Sequence, residues 1–175
     1  TEDFLNAMSI ANRNFNFEQF KLWYSQKGTP EIEVSYQYNF EDKKIALKVL
    51  QKPPKTLPRD QWKPYHFPLK LGIISKENGR EFELSLEKVN GQDDLERGFI
   101  HVRHESEEFI FCDVKEDSLV SLNRDFSAPV ILKDNNSFSD KVSLLSKDSN
   151  NFNRYEISQD LAIEVILDLV KADQQ

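Results

Sequence analysis

The stretch HVRHE, residues 101–105, has the residue types of a metal-dependent active site. A zinc hydrolase helix carries two histidines four positions apart, with a glutamate beside the first to activate water. Here His101 and His104 are three positions apart, and Glu105 follows the second histidine. The surrounding sequence GFIHVRHESEEFIF is typical of a strand, a charged turn and a second strand, and side chains three apart on a strand point to opposite faces. We therefore expect the two imidazoles to diverge, and we predict no metal site here.

Other residues of catalytic type lack the neighbours that catalysis needs. His66 stands alone in a strand-like pattern, and Cys112 has no CxxC partner, which favours a small buried side chain over a nucleophile. Two acidic groups, Glu105 to Glu108 and Asp93 with Asp94 and Glu96, lack the ligand order of an EF-hand and predict solvated turns. The sequence contains neither a Gly-rich phosphate loop nor a GxSxG elbow. We predict no catalytic, metal-binding or substrate-binding residue in this chain.

Composition restricts the class of protein further. At 175 residues and 20.5 kDa the chain fits one domain, or one domain with parts of others. A net charge of −7 with dispersed lysines and arginines argues against nucleic-acid binding, and no apolar run approaches the roughly 20 residues that span a bilayer. The first residues do not have the pattern of a signal peptide, and residue 1 is not Met, so we expect a piece of a longer chain. The single cysteine suits a reducing compartment, and we expect the cytoplasm.

The region after Glu31 alternates apolar and polar residues with the period of β-strands. Short strands separated by turns every 8 to 12 residues predict an immunoglobulin-like antiparallel β-sandwich, mainly β and flanked by α-helices at both ends. Two exposed aromatics could form a sugar-binding platform, but Trp62, in a Pro-rich loop, is the only aromatic outside a strand or helix pattern. The expected strand residues are Ile32 to Tyr38, Ile45 to Val49, Phe67 to Ile73, Phe82 to Leu86, Ile100 to Val102, Phe109 to Cys112, Leu119 to Leu122 and Ala128 to Leu132, with turns at ENG (77–79) and at Asn90 and Gly91.

Helical patterns precede this region. Thr1 is expected to cap a first helix, and Asn16 a second one. Phe20, Trp23 and Tyr24 then share one face of the second helix, which Gly28 should end, while Pro30 prevents its continuation. These five residues, Phe20, Trp23, Tyr24, Gly28 and Pro30, form the predicted structural junction between helix and strand.

Helical patterns also follow the β-rich region. Ser139 is expected to cap a helix, and a longer one should run from about Phe152 to Lys171. In LAIEVILDLV, Leu161 to Val170, only Glu164 and Asp168 are polar. A helix of this kind needs apolar partners around most of its circumference, which the short preceding helix cannot supply. We expect either another part of a longer protein or self-association through Leu161 to Val170 to cover it.

The helix-to-strand stretch resembles a segment of the bacterial aminopeptidase N family of zinc-dependent gluzincins. The family's WYSQxGTP segment, which joins the catalytic domain to a β-sandwich, is matched by Trp23, Tyr24, Ser25, Gln26, Gly28, Thr29 and Pro30. Three further segments match in order: DFLNAM (3–8), DFSAPV (125–130) and NFNRYEISQDLA (151–162). The resemblance implies that residues 1–30 end a catalytic domain, 31–133 form the sandwich and 134–175 begin a helical domain.

The resemblance also implies a parent enzyme that removes N-terminal residues from peptides with one zinc ion. The family's HExxH and GxMEN motifs are absent from this sequence, so no catalytic residue is carried over. The sandwich would then be a structural bridge between the parent's other domains. Two alternatives remain at this point: a freestanding sandwich that binds a peptide or a carbohydrate, and a metallohydrolase built on the histidines, for which His101→Ala would abolish metal uptake.

Overall fold

In the part of the chain that the structure describes, nine strands in two sheets lie between α-helices at the two ends. The computed structural model describes residues 2–11, 17–87, 95, 96 and 98–173. The first helices are α1 (Glu2–Ala11), α2 (Phe17–Phe20) and α3 (Leu22–Ser25), and the last are α4 (Phe138–Lys147) and α5 (Asn151–Ala172). The strands are β1 (Glu31–Asn39), β2 (Lys44–Lys52), β3 (Phe67–Ser75), β4 (Glu81–Phe82), β5 (Leu95–Glu96), β6 (Phe99–Val102), β7 (Ser106–Phe111), β8 (Ser118–Leu122) and β9 (Ile131–Asp134).

One sheet has the strand order β7-β2-β1-β9; in the other, β4, β3, β6 and β5 follow one another and β8 pairs with β3. The β1–β2 hairpin is antiparallel with Val34 opposite Val49, and the buried side chains alternate along both strands as the sequence predicts. The main core lies between the sheets, because each contributes its apolar face. This arrangement confirms the immunoglobulin-like sandwich.

The pairing of β1 with β9 is parallel, whereas the sequence suggested antiparallel pairs throughout. β9 follows β8, which belongs to the other sheet. No hairpin therefore joins β9 to β1, and only a hairpin turn would oblige the two strands to run in opposite directions. β9 lies at the edge of its sheet.

Strand β8 and the second half of β3, from Leu71 to Ser75, are buried on both faces. Val120 and Leu122 of β8 belong to the main core, whereas Leu119 belongs to a second apolar cluster with Leu144 of α4 and Ile157 of α5. All five residues of β8 are buried. The helices α4 and α5 therefore cover the outer face of this part of the sheet, and burial along β8 is continuous rather than alternating.

Several expected boundaries were wrong. A strand was expected from Phe82 to Leu86, but β4 is only Glu81–Phe82. Leu86 makes one isolated bridge to Phe111. β9 begins at Ile131 and not at Ala128, because Asn123, Asp125 and Phe126 have positive φ angles and turn the chain away from an extended path.

The helix ends also differ from expectation. α4 is capped by Ser137 rather than Ser139: its hydroxyl accepts from Asp140 N, and the Asp140 carboxylate accepts from Ser137 N. The stretch before β1 is two short helices ending at Ser25, where Gln26 is already extended, so Gly28 does not end the helix directly. Thr1, Asn16, Asn90, Gly91, Asp93 and Asp94 lie outside the described residues.

Candidate functional site

The helices that precede the sandwich are fixed to it by the indole of Trp23. The Trp23 ring packs against Tyr65, with 4.5 Å between ring centroids, and against the edge of Phe67 at 6.3 Å. Its Nε1 donates a 2.9 Å hydrogen bond to the carbonyl oxygen of His66. Tyr65 and Phe67 are almost fully buried in the main core. Trp23 therefore connects α3 directly with the sandwich interior.

Two glutamine side chains strengthen this N-terminal junction. The amide of Gln26 donates to Lys63 O at 2.9 Å and accepts from Lys63 N at 2.7 Å, which imitates a backbone ladder. The amide of Gln19 donates to the carbonyl oxygens of Pro64, at 3.1 Å, and of Arg103. Backbone carbonyls of the Pro-rich loop thereby obtain partners. The sequence did not single out Gln19 or Gln26 for this role, because their partners are 37 or more positions away along the chain.

The five predicted junction residues have different surroundings. Phe20 is half-buried and meets Tyr24 edge-on at 6.1 Å, whereas Tyr24 itself is 56% exposed. Gly28 has φ +91°, and a Cβ there would lie 2.5 Å from the Thr56 hydroxyl. Pro30 is buried, and its carbonyl oxygen accepts from Ile131 N, which starts the β1–β9 pairing.

A buried polar network attaches the C-terminal helices to the sandwich. The guanidinium of Arg124, in the 3₁₀ turn Arg124–Phe126, forms an ion pair with Asp148 at 2.9 Å, and the Asp148 side chain is completely buried. A second ion pair joins Arg124 to Glu81 of β4. Arg124 Nε also donates to the Ser121 hydroxyl at 2.8 Å. One guanidinium thus holds together β4, β8 and the α4–α5 connection.

The remaining partners complete this network. The Asp148 carboxylate accepts hydrogen bonds from the Ser121 hydroxyl and from the Asn153 amide, both at 2.6 Å. Gly72 of β3 lies directly beneath the Arg124 guanidinium: a Cβ there would come within 2.1 Å of Arg124 Cζ. We name Arg124, Asp148, Ser121, Asn153 and Glu81 the Arg124 network. This network could not be predicted from the sequence, because an isolated arginine and aspartate 24 positions apart give no periodic signal.

The structure brings together two histidines that the sequence analysis treated separately. His66 Nε2 and His101 Nδ1 are 3.1 Å apart, so one nitrogen donates a proton to the other. The ring centroids lie 5.3 Å apart and the rings are tilted by 57°, and the hydrogen bond occupies one nitrogen of each ring. Burial, together with the nearby charge of Arg103 and with His101, lowers the pKa of His66 to about 4. His104 lies in the exposed turn, away from β6.

The other residues considered for chemistry are placed as follows. Trp62 is 7% exposed and has Arg59 over its ring at 4.9 Å, so it cannot act as an exposed sugar platform. Cys112 is a free, half-buried thiol. Glu105 pairs with Arg59, and the Glu107 carboxylate accepts from His104 N. Within the described residues, no three histidine, cysteine, aspartate or glutamate side chains come close enough to hold a metal ion.

None of the described helices combines the length and the apolar character that crossing a bilayer demands. α5 is the longest, and its second half keeps Glu164 and Asp168 among the apolar residues.

Two packed sheets, a parallel edge strand and helices that continue from both ends define an immunoglobulin-like module with helical flanks. A family model for a domain of unknown function with an Ig-like fold, DUF3458, matches residues 28–135. The chain belongs to this family.

Comparison with known proteins confirms the resemblance of the sequence to the aminopeptidase N family. Aminopeptidase N of Haemophilus influenzae is 33% identical over 158 residues, which is 90% of this chain and 17% of that protein. Aminopeptidase N of Escherichia coli K12 is 30% identical over 176 residues, covering 99% of this chain and 19% of that protein. A crystal structure of Legionella pneumophila aminopeptidase A in complex with aspartic acid superimposes with a TM-score of 0.76 at 25% identity, covering 97% of this chain and 17% of that one. The chain thus spans less than a fifth of the length of these relatives.

Proposed function

We propose that this chain is the non-catalytic sandwich module of an aminopeptidase N, and that it serves as a structural bridge between the catalytic and helical domains of the parent. In this proposal residues 1–30 end the catalytic domain, 31–133 form the sandwich and 134–175 begin the helical domain. The parent is a cytoplasmic zinc metalloaminopeptidase that removes N-terminal residues from peptides. The similarity of nearly the whole chain to 17–19% of two aminopeptidases N supports the parent enzyme.

The observation that carries the bridging role is the Arg124 network. Arg124 and Asp148 are both buried, and they join a strand, a turn and the start of α5. A buried ion pair is destabilised strongly when one partner is lost, so it fixes one relative position of the elements that supply it. The side chains of Trp23 and Gln26 attach α3 to the sandwich. Specific side-chain contacts thus hold α3 on one side, and α4 and α5 on the other, against the sandwich.

Zinc belongs to the parent in this proposal and has no ligands in this chain. The described residues do not fit a zinc site. The hydrogen bond between His66 and His101 occupies one nitrogen of each ring, and no third ligand lies close to the pair. In this proposal the catalytic residues belong to other parts of the parent, and the 175-residue chain supplies none.

The parent's activity is tested by expressing the 175-residue chain and the full-length parent separately. We expect the parent to hydrolyse an alanyl anilide and to lose that activity on removal of zinc by a chelator, and we expect the short chain to be inactive with or without added zinc. Zinc-dependent hydrolysis by the short chain would contradict the proposal and would support the metallohydrolase alternative, for which His101→Ala is the matched variant.

The bridging role is tested in the parent with Asp148→Ala and, as a control, Asp168→Ala, which removes an exposed carboxylate of α5. We expect Asp148→Ala to increase the rate of amide hydrogen exchange in α4 and α5, while the control leaves it unchanged. Equal exchange in the two variants would contradict a bridging function for the Arg124 network.

A further inference from the structure

A groove of about 780 Å³ runs between the edge strand β9 and the helix α5. All four consecutive residues of β9, Ile131–Asp134, line it. Successive side chains of a strand point to opposite faces, so a surface lined by every residue is lined by the edge of the strand. The groove therefore presents backbone as well as side chains.

The edge of β9 that faces the groove has backbone groups directed outward. Ile131 N donates to Pro30 O, and the register pairs Glu31 with Ile131 and Glu33 with Lys133 in the parallel ladder. In a parallel pair alternate residues bond to the neighbouring strand, so the N–H and C=O of Leu132 point away from β1. Within the described residues β9 pairs only with β1. An edge of this kind is a template for one more strand.

The α5 wall of the groove is acidic. Glu156, Asp160 and Glu164 line it at intervals of four, which places them on one face of the helix. Glu164 has a cation within 3.5 Å, Lys141, whereas Glu156 and Asp160 are exposed and have no ion pair within the described part of the chain. Lys133, on the opposite wall, is already paired with Glu31 at 2.7 Å. The charge that remains uncompensated in the groove is negative.

Apolar side chains lie between the edge and the acidic wall. Val130 and Ile157 are buried there, and Phe126, Ile131 and Ile163 line the groove with about half of their surfaces exposed. Exposed apolar surface beside an unpaired strand edge is characteristic of a polypeptide-binding surface.

We propose that this groove binds an extended segment of a partner polypeptide in which basic residues alternate with apolar ones. The segment adds to the sheet as a strand beside β9 and bonds to the outward N–H and C=O of Leu132. Its basic side chains contact Glu156 and Asp160, and its apolar side chains cover Ile131 and Ile163. Backbone pairing provides affinity and the acidic wall provides selectivity for charge.

The test uses the 175-residue chain and a short fluorescent peptide in which lysine alternates with valine. Binding is measured by anisotropy, and amide chemical shifts locate it. We expect saturable binding with shifts at residues 131–134 and along α5 from Glu156 to Glu164. A peptide with glutamate for lysine and a peptide methylated on alternate backbone nitrogens should both lose this binding, because one repels the wall and the other cannot pair.

The matched variants are E156K/D160K, which reverses the acidic wall, and D168K, which reverses an exposed charge of α5 outside the groove. We expect E156K/D160K to weaken binding about tenfold, because it replaces two attractive charge contacts by two repulsive ones, and we expect D168K to leave it unchanged. Equal binding of the methylated peptide, or equal weakening by both variants, would overturn strand addition. Dimers of the chain that E156K/D160K abolishes, together with failure of the peptide to bind, would assign the groove to a second copy instead.

Discussion

Buried polar side chains decide how the flanking helices meet the sandwich. Arg124 has three partners in the structure, Asp148, Glu81 and Ser121, and Gly72 leaves the space that its guanidinium occupies. Removing one member of such a network leaves another buried group without its partner, which costs more than the hydrogen bond itself contributed.

We expect Asp148→Ala to lower the free energy of unfolding by about 3–5 kcal/mol, because Arg124 would lose its fully buried counter-charge. Urea denaturation followed by circular dichroism measures this change. Asp168→Ala is the control: it removes an exposed ion pair with Lys171 and should leave the urea midpoint unchanged. A midpoint for Asp148→Ala as high as that of the control would refute the structural importance of the pair.

The histidine pair predicts a dependence of stability on pH. The pKa of His66 is lowered from 6.5 to about 4 in the folded chain, mainly because burial disfavours the charged imidazole, with Arg103 and His101 adding to the effect. The unfolded chain therefore takes up a proton first as the pH falls. The contribution of His66 to stability is complete above pH 6.5 and decreases as the pH falls towards about 4.

We test this with His66→Gln, which cannot titrate, and with His104→Gln as a control in the exposed turn. The free energy of unfolding is measured by urea denaturation at several pH values. The loss of stability between pH 6.5 and pH 4 should be smaller in His66→Gln than in the unmodified chain, and His104→Gln should retain the full loss. Identical pH slopes in all three proteins would show that His66 does not titrate differently on folding.

At the scale of elements, helix boundaries depend on local hydrogen bonds that the sequence specifies ambiguously. SFSD, residues 137–140, offers two serines as caps, and the structure uses Ser137, because Asp140 then occupies the third helical position and completes a capping box. The helix so placed directs Leu144 into the cluster with Leu119 and Ile157.

Ser137→Ala should destabilise the chain by about 1 kcal/mol, since the first turn of α4 loses its capping hydroxyl. Ser139→Ala is the matched variant two positions later, and its effect should be clearly smaller because Ser139 lies inside the helix. Urea denaturation of both variants gives the comparison. If Ser139→Ala were the more destabilising of the two substitutions, Ser139 and not Ser137 would be the cap of α4.

At the scale of the whole molecule, the second half of α5 exposes an apolar surface without a partner in the described structure. Leu161 is buried against the sandwich, but Ile166, Leu167, Leu169 and Val170 are each about half exposed or more. An exposed apolar surface made by neighbouring residues indicates an interaction surface. If the chain is part of the proposed parent, we expect another domain to cover this surface; in the isolated chain we expect a second copy to do so.

We expect the isolated chain to form concentration-dependent oligomers in sedimentation experiments, and we expect Ile166→Lys with Leu169→Lys to keep it monomeric, since burial of each apolar side chain contributes about 1.5–3 kcal/mol. Val142→Lys, on the exposed face of α4, is the control and should not change the assembly. A strict monomer at high concentration, with α5 fully ordered, would contradict the prediction.

The sequence by itself determined the class of fold and the family. The period-two alternation in β1 and β2 correctly predicted which face of each strand is buried, because one face must be apolar to form the core. The WYSQ and GTP residues, 23–26 and 28–30, carry the resemblance to the family in the sequence alone. The long apolar helix was also predictable, since α5 spans Asn151–Ala172 and the pattern indicated about Phe152 to Lys171.

Only the tertiary structure decided which polar side chains meet. Gln26 and Lys63 are 37 positions apart, His66 and His101 are 35, and Tyr36 and Asn136 are 100. Such pairs depend on how one element packs on another. The helix and strand periodicities of a sequence relate only neighbouring residues, so they do not predict this packing. The parallel β1–β9 pair and the burial of both faces of β8 have the same origin, because they require a sheet crossing and a helix pair that exist only once the chain is folded.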